Sequence, residues 1–187
     1  MFNKNIYEFP ILYTNPIPKV ALGWGAYETI ADECRANRIK KALIVTSGLK
    51  GTGIIDEIKG VLKHGGIAFD VFDGITSNPK DHEIMKGYRV FKDAGCDGII
   101  AVGGGSSIDA GKCIRVIDAN GGKDVTNFAA KLNPPWMETL AKLNPCVIPQ
   151  ISVPTTSGTG AEVTSWAAIS NTKELAKVLI GAPNIQT

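Results

Sequence analysis

Histidine is the scarcest chemical resource of this 187-residue chain: only His64 and His82 are present. They are not at i, i+4 spacing on one helix, and no third histidine completes a zinc-type set. The four cysteines, Cys34, Cys96, Cys113 and Cys146, are widely spaced and contain no C-x-x-C pair. They read as reduced packing thiols of a cytoplasmic protein rather than as a disulfide framework or a metal knuckle. Charge of one sign is lacking too. Twenty Lys and Arg against 18 Asp and Glu leave a net charge of +2, which argues against nucleic acid as a partner. No apolar run reaches the roughly 18 residues of a membrane span. The opening Met1-Phe2-Asn3-Lys4-Asn5 has no apolar stretch behind it, so neither a membrane anchor nor a signal peptide is expected. Hydrophobic residues at 44% and charged residues at 20% are ordinary globular values, which exclude disorder as the main state.

What the chain does have is alternation. Pro10, Pro16 and Pro18 make residues 1–19 an extended arm, because proline cannot donate to a ladder or a helix. Lys19–Leu22 is a short strand candidate, and Ala26 to Asn37 carries apolar residues at helical spacing. Lys41–Thr46 is apolar on both faces, as a buried parallel strand requires. Ile54, Ile55, Ile58, Val61 and Leu62 mark a helix that ends at His64-Gly65-Gly66. Ile67–Phe72 is a strand, Asp81–Ala94 a helix, Gly98–Val102 a buried strand, and Ser106–Ala119 a helix. Residues 120–146 are loop-rich, with one short helix expected at 136–143. Val147–Val153 resumes as a strand whose internal Pro149 points to an edge or a bulge. Trp166–Ile169 and Lys177–Ile180 pair as a hairpin. Short strands alternating with helices build a Rossmann-like α/β domain: a parallel sheet with helices on both faces.

Two turns carry the chemistry. Gly103-Gly104-Gly105-Ser106-Ser107-Ile108-Asp109 joins a buried strand to a helix. Glycines let the backbone approach a ligand closely, and the open N–H groups of a helix start bind phosphate. Ser106 is a candidate helix cap, with Asp109 three residues on as in a capping box. The alternative is a tight turn with a good cap and no ligand. The pattern is not the G-x-G-x-x-G dinucleotide fingerprint. The second turn, Thr155-Thr156-Ser157-Gly158-Thr159-Gly160, is rich in hydroxyls, which donate to phosphate or sugar oxygens without adding charge. Alone it reads as a polar loop. Two such turns at the carboxyl ends of parallel strands face one crevice and point to a dinucleotide. After strand Ala42–Thr46, Ser47 stands where an acid would hold the plain 2′-hydroxyl of NAD, and Lys50 follows. That leaves NAD and NADP both open. Asp73, Asp81 and Glu83 read as solvated or helix-start acids.

Together, Gly103-Gly104-Gly105-Ser106-Ser107-Ile108-Asp109 and Pro154-Thr155-Thr156-Ser157-Gly158-Thr159-Gly160-Ala161-Glu162-Val163-Thr164 resemble the iron-containing (group III) alcohol dehydrogenases. Asn78-Pro79 and Lys177-Val178 follow that family's order. The resemblance implies an N-terminal nucleotide-binding domain spanning 1–187, with a dehydroquinate synthase-like fold. It implies that Gly104, Gly105 and Ser106 cradle the pyrophosphate of NAD or NADP, with Asp109 capping the helix. Thr155, Thr156 and Thr159 would contact phosphate or ribose, Thr164 and Lys177 would line the ribose and nicotinamide side, and Asn78 and Ser47 would also touch the cofactor. Family members hold Fe²⁺ or Zn²⁺ on a C-terminal helical domain, so none of those ligands is expected in residues 1–187. The resemblance further implies hydride transfer between a small primary alcohol or aldehyde and the nicotinamide, and a homo-oligomer, dimer or higher. A glycerol dehydrogenase- or dehydroquinate synthase-like relative and a non-catalytic nucleotide-binding or assembly module are the alternatives.

Overall fold

A computed structural model describes residues 18–130 and 142–187. The extended arm over residues 1–17 and most of the short helix expected at 136–143 lie outside the described residues. Four strands, β1 (Lys41–Thr46), β2 (Ala68–Phe72), β3 (Gly98–Gly103) and β4 (Gln150–Pro154), form one sheet in the order β2-β1-β3-β4. Every pairing in it is parallel. Successive residues of a strand face opposite sides, so a doubly covered sheet needs apolar residues at every position. β1 and β3 meet that demand. Ala42, Ile44, Ile100 and Val102 join one core cluster, whereas Leu43, Val45 and Ile99 join the other.

Helices α1 (Ile30–Ala36) and α2 (Ile54–His64) cover the first face with Ile30, Cys34, Ile58 and Leu62. Helices α3 (Asp81–Asp93) and α4 (Gly105–Ala119) cover the second with Ile84, Phe91, Cys113, Ile114 and Ile117. Each fully buried side chain of this size contributes about 2 kcal/mol of transfer free energy. Ten of the 15 residues of α4 are buried, so this is the central helix of the domain and not a surface one. Its far side is covered by the antiparallel hairpin β5 (Trp166–Asn171) and β6 (Ala176–Gly181), which contributes Ala167, Ile169 and Ile180 to the core.

Three local expectations change. Residues 18–22 form no strand: Val20 and Leu22 are exposed, so the run has neither a ladder partner nor a buried face among the described residues. The stretch 26–37 opens as a 3₁₀ turn, Ala26–Thr29, before α1 begins. The strand expected over 147–153 starts only after Pro149, which cannot donate to a ladder, and β4 is the last strand on that side of the described sheet. All four cysteines are free and buried, consistent with packing roles.

β1 lies between β2 and β3. The chain leaves its carboxyl end in one direction and leaves that of β3 in the other. Between these two ends opens the crevice where doubly wound sheets place ligands.

Candidate functional site

The Gly103–Gly105 turn leaves the carboxyl end of β3 at that crevice. Gly103 has a φ of 144°, which L side chains rarely adopt, and a Cβ there would run into the Ser107 hydroxyl. The backbone oxygen of Ser47 lies 3.5 Å from the same point, so the end of β1 closes against the turn. Gly104 is the N-cap of α4, and no side chain caps the helix. The N–H groups of Ser107 and Ile108 both return to the Gly104 carbonyl. The amides of Gly105 and Ser106 belong to the first turn and have no preceding turn to bond, so the positive end of a 15-residue helix stays open.

The capping roles expected of Ser106 and Asp109 are therefore corrected. The helix begins one residue before Ser106, and the Ser106 hydroxyl instead accepts the Asn78 N–H at 3.3 Å. Asp109 lies in the second turn of α4, beyond reach of the cap position, and its Oδ2 accepts the Ala168 N–H of β5 at 2.9 Å. Its Oδ1 is buried without a partner. Burial raises the Asp109 carboxyl, against the opposing pull of the Ala168 N–H and Lys112.

The Thr155–Gly160 turn folds over the glycines. Thr155 extends the ladder, its N–H donating to the Gly103 carbonyl at 2.9 Å. A Cβ on Gly104 would stand 3.0 Å from Thr156 Oγ1, and one on Gly105 would stand 3.4 Å from Thr159 Cβ. Two threonines of one turn thus sit directly against two glycines of the other, around the open helix end.

A third wall is the loop before α3. Asn78 has a φ of 56°, a left-handed conformation asparagine tolerates better than most residues. Its Oδ1 accepts from Lys177 Nζ of β6 at 2.6 Å. The loop is held by two acids expected to be solvated or at a helix start: both do stand in the first turn of α3, but both are buried and not solvated. Glu83 accepts from the Thr76 N–H at 3.2 Å, the Thr76 hydroxyl at 2.8 Å and the Lys80 N–H at 3.2 Å. Asp81 accepts from the Thr172 hydroxyl at 2.8 Å and from the N–H groups of His82 and Thr172 at 2.8 and 3.2 Å. Burial raises both carboxyls, but these donors outweigh it and leave both below the ordinary carboxylate value.

Sequence reasoning missed two buried cations on α4. Lys112 is fully buried, and its ammonium donates to the carbonyls of Ala161, Thr164 and Trp166 and to the Thr164 hydroxyl. Burial lowers the Lys112 ammonium to about 8, with Asp109 pulling the other way, so it keeps its proton at neutral pH. Arg115 donates to the carbonyls of Ile148, Asn184, Ile185 and Gln186 at 2.6–2.9 Å. The visible signal was two charges inside the apolar run Ala110–Ile117, which a helix buried all round can carry only if they are fully bonded. Thr164 thus faces Lys112. Glu162 lies in the turn between Ala161 and Thr164, whose carbonyls are gathered around that ammonium.

A cavity of about 590 Å³ between residues 18–37 and β4 includes none of the glycine turn and meets the hydroxyl turn's two stems at Pro154, Glu162 and Val163. Among the described residues no three His, Cys, Asp or Glu side chains converge on a metal-sized site.

Residues 17–187 match the profile of a family described as iron-containing alcohol dehydrogenase. The methanol:N,N-dimethyl-4-nitrosoaniline oxidoreductase of Mycobacterium sp. (strain DSM 3803 / JC1) is 39% identical over 173 residues, which are 92% of this chain and 39% of that protein. A crystal structure of a 1,3-propanediol oxidoreductase superposes with a TM-score of 0.78 at 32% identity, covering 94% of this chain and 44% of that one. The NADH-dependent butanol dehydrogenase A of Thermotoga maritima also gives 0.78, at 26% identity over 94% of this chain and 42% of its own. The chain therefore spans about two fifths of the length of these relatives. With residues 17–187 matched by the family's profile, the chain belongs to the iron-containing alcohol dehydrogenase family.

Proposed function

We propose that this chain is the cofactor-binding part of an alcohol dehydrogenase that moves a hydride between a small primary alcohol or aldehyde and a nicotinamide dinucleotide. The observation that carries this reading is the uncapped start of α4 at Gly104–Ser106, set at the switch point of the sheet and overlaid by Thr156 and Thr159. A pyrophosphate fits such a place. The Gly105 and Ser106 amides and the helix dipole favour an anion, and the glycines present no Cβ to its approach. Thr155, Thr156 and Thr159 supply hydroxyls for the ribose and phosphate oxygens. Asn78, held in place by Ser106 and Lys177, closes the side towards the hairpin. Ser47 and Lys50 stand at the adenosine end, where an uncharged residue leaves room for a 2′-phosphate.

When bound, the nicotinamide supplies the hydride acceptor or donor. The chain's own part is to fix the dinucleotide's phosphates and to orient the ring relative to the hairpin. Among the described residues no three His, Cys, Asp or Glu side chains converge, so this part of the chain would not hold an iron by itself. The test is a fluorescence titration of the 187-residue chain with NADH and NADPH. Saturable binding that Gly104→Val abolishes supports the reading, and absence of binding for both nucleotides rejects it.

A further inference from the structure

The hydroxyl turn has one firm stem and one that needs a fastening. Its entry continues β4 and is fixed by the ladder bond from Thr155 to Gly103. Between the stems, residues 155–159 are exposed, and Gly158 and Gly160 take φ values of 105° and 62°. Nothing in that run packs into a core before Ala161. The exit, residues 160–164, is a single turn in which the Val163 and Thr164 N–H groups both return to the Gly160 carbonyl. One isolated turn of helix is marginal without tertiary support.

Ala161 packs on Ala101 and Ile108, and Thr187 and Gln186 bond Glu162 and Ser165, but the support with the most bonds is the buried ammonium of α4. Lys112 Nζ reaches the Thr164 carbonyl at 2.8 Å, the Trp166 carbonyl at 3.1 Å and the Thr164 hydroxyl at 3.2 Å, and it also donates to the Ala161 carbonyl. An ammonium has only three protons, so these four oxygens enclose it completely. One turn earlier on the same helix, Asp109 takes the Ala168 N–H. The helix whose N-terminus forms the floor of the site thus grips, one to two turns further along, the segment that carries the roof. The contacts span 49 to 59 residues of sequence.

We infer that Lys112 is a positioning residue for dinucleotide binding: its caged ammonium pins the exit of the Thr155–Gly160 turn to α4 and so holds Thr156 and Thr159 over Gly104 and Gly105. The inference rests on the nucleotide-binding reading above and adds a residue that touches no cofactor. It adds charge-assisted bonds to backbone carbonyls, which are directional, to the packing of Ala161 on Ala101 and Ile108, which is not.

The test compares wild type, Lys112→Met and Lys112→Gln, with urea melts to establish that each is folded. Two quantities are read: the dissociation constant for NADH and the hydrogen-exchange rates of the amides of 155–166 against those of β1 and β3. The expected result is NADH affinity weaker by about tenfold or more in Lys112→Met, the scale of losing one charged hydrogen bond. Exchange should quicken in 155–166 and stay unchanged in β1 and β3. Lys112→Gln keeps two N–H donors and should recover part of both losses. It also carries the comparison with wild type if the Met variant does not fold. Wild-type affinity in a folded variant, or wild-type exchange in 155–166, overturns the positioning role and leaves the nucleotide reading standing. A wild-type chain that binds no NADH overturns both.

Discussion

The ammonium of Lys177 donates to Oδ1 of Asn78 at 2.6 Å, across 99 residues of chain. Asn78 in turn donates its N–H to the Ser106 hydroxyl, so β6, the loop before α3 and the open end of α4 are joined in one polar line. Both Asn78 and Lys177 are exposed, and an exposed pair of this kind adds little to stability. Its effect belongs to the geometry of the site. Lys177→Met is expected to leave the unfolding midpoint nearly unchanged while weakening NADH binding by about tenfold. Calorimetry beside thermal melts checks this. A large drop in the midpoint with unchanged affinity would reverse the assignment.

The three glycines of the first turn are not equivalent. Gly103 needs its positive φ, and its Cβ position is filled by Ser107, so Gly103→Ala is expected to cost about 1–3 kcal/mol of stability. Gly104 has an ordinary φ of −80°, and a Cβ there meets only the hydroxyl of Thr156 on an exposed turn. Gly104→Val should therefore fold and lose nucleotide binding. Denaturant melts and NADH titration of the two variants separate the roles. The reading fails if Gly104→Val binds like wild type.

Ser47 follows β1 at the crevice, and its carbonyl packs beside Gly103. With no carboxylate to repel a 2′-phosphate, the chain is expected to bind NADPH at least comparably with NADH. Ser47→Asp should shift the preference towards NADH, because the carboxylate hydrogen-bonds a 2′-hydroxyl and opposes a phosphate. The ratio of the two dissociation constants is the measurement. An unchanged ratio places the adenosine end elsewhere.

Much of this architecture was legible in order along the chain. Ala42–Val45 of β1 and Ile99–Val102 of β3 are apolar at every position, and only a sheet covered on both faces asks for that. The hairpin of β5 and β6 and the turn at Gly103 were readable because their signals are local. What stayed hidden depends on partners distant in sequence. Asp109 looked like a cap because it stands three residues after Ser106, yet its partner is Ala168, 59 residues away. Asp81 looked solvated until Thr172, 91 residues on, closed over it. Lys112 gave a faint signal, a charge in an apolar run, but its carbonyl partners are backbone atoms that no residue type announces.

The buried acids Asp81 and Glu83, with the half-buried Asp124 before the 3₁₀ turn Val125–Phe128, set the response to pH. The Asp81, Glu83 and Asp124 carboxyls are all lowered from ordinary values of 3.8, 4.5 and 3.8. For Asp81 and Glu83 burial acts in the opposite direction and is outweighed by their donors, whereas for Asp124 the Thr126 hydroxyl and N–H are the largest causes. A carboxyl whose folded value is depressed binds fewer protons in the folded state than in the unfolded one. Its contribution is fully present above the unfolded value and is lost as pH falls through the folded one. Asp109 works the other way. Its folded value is raised, so its ionised form disfavours the folded state and its protonation on acidification relieves that cost. Three lowered groups against one raised group give a net loss of stability as pH falls below about 4.5. Urea melts from pH 7 to pH 3 should show that fall. Asp81→Asn should flatten it, having already lost the carboxylate's bonds at neutral pH. Asp109→Asn should steepen it, because the opposing group is gone. An acid limb unchanged in both variants would mean that neither carboxyl titrates differently on folding, and the assigned hydrogen bonds would have to be redrawn.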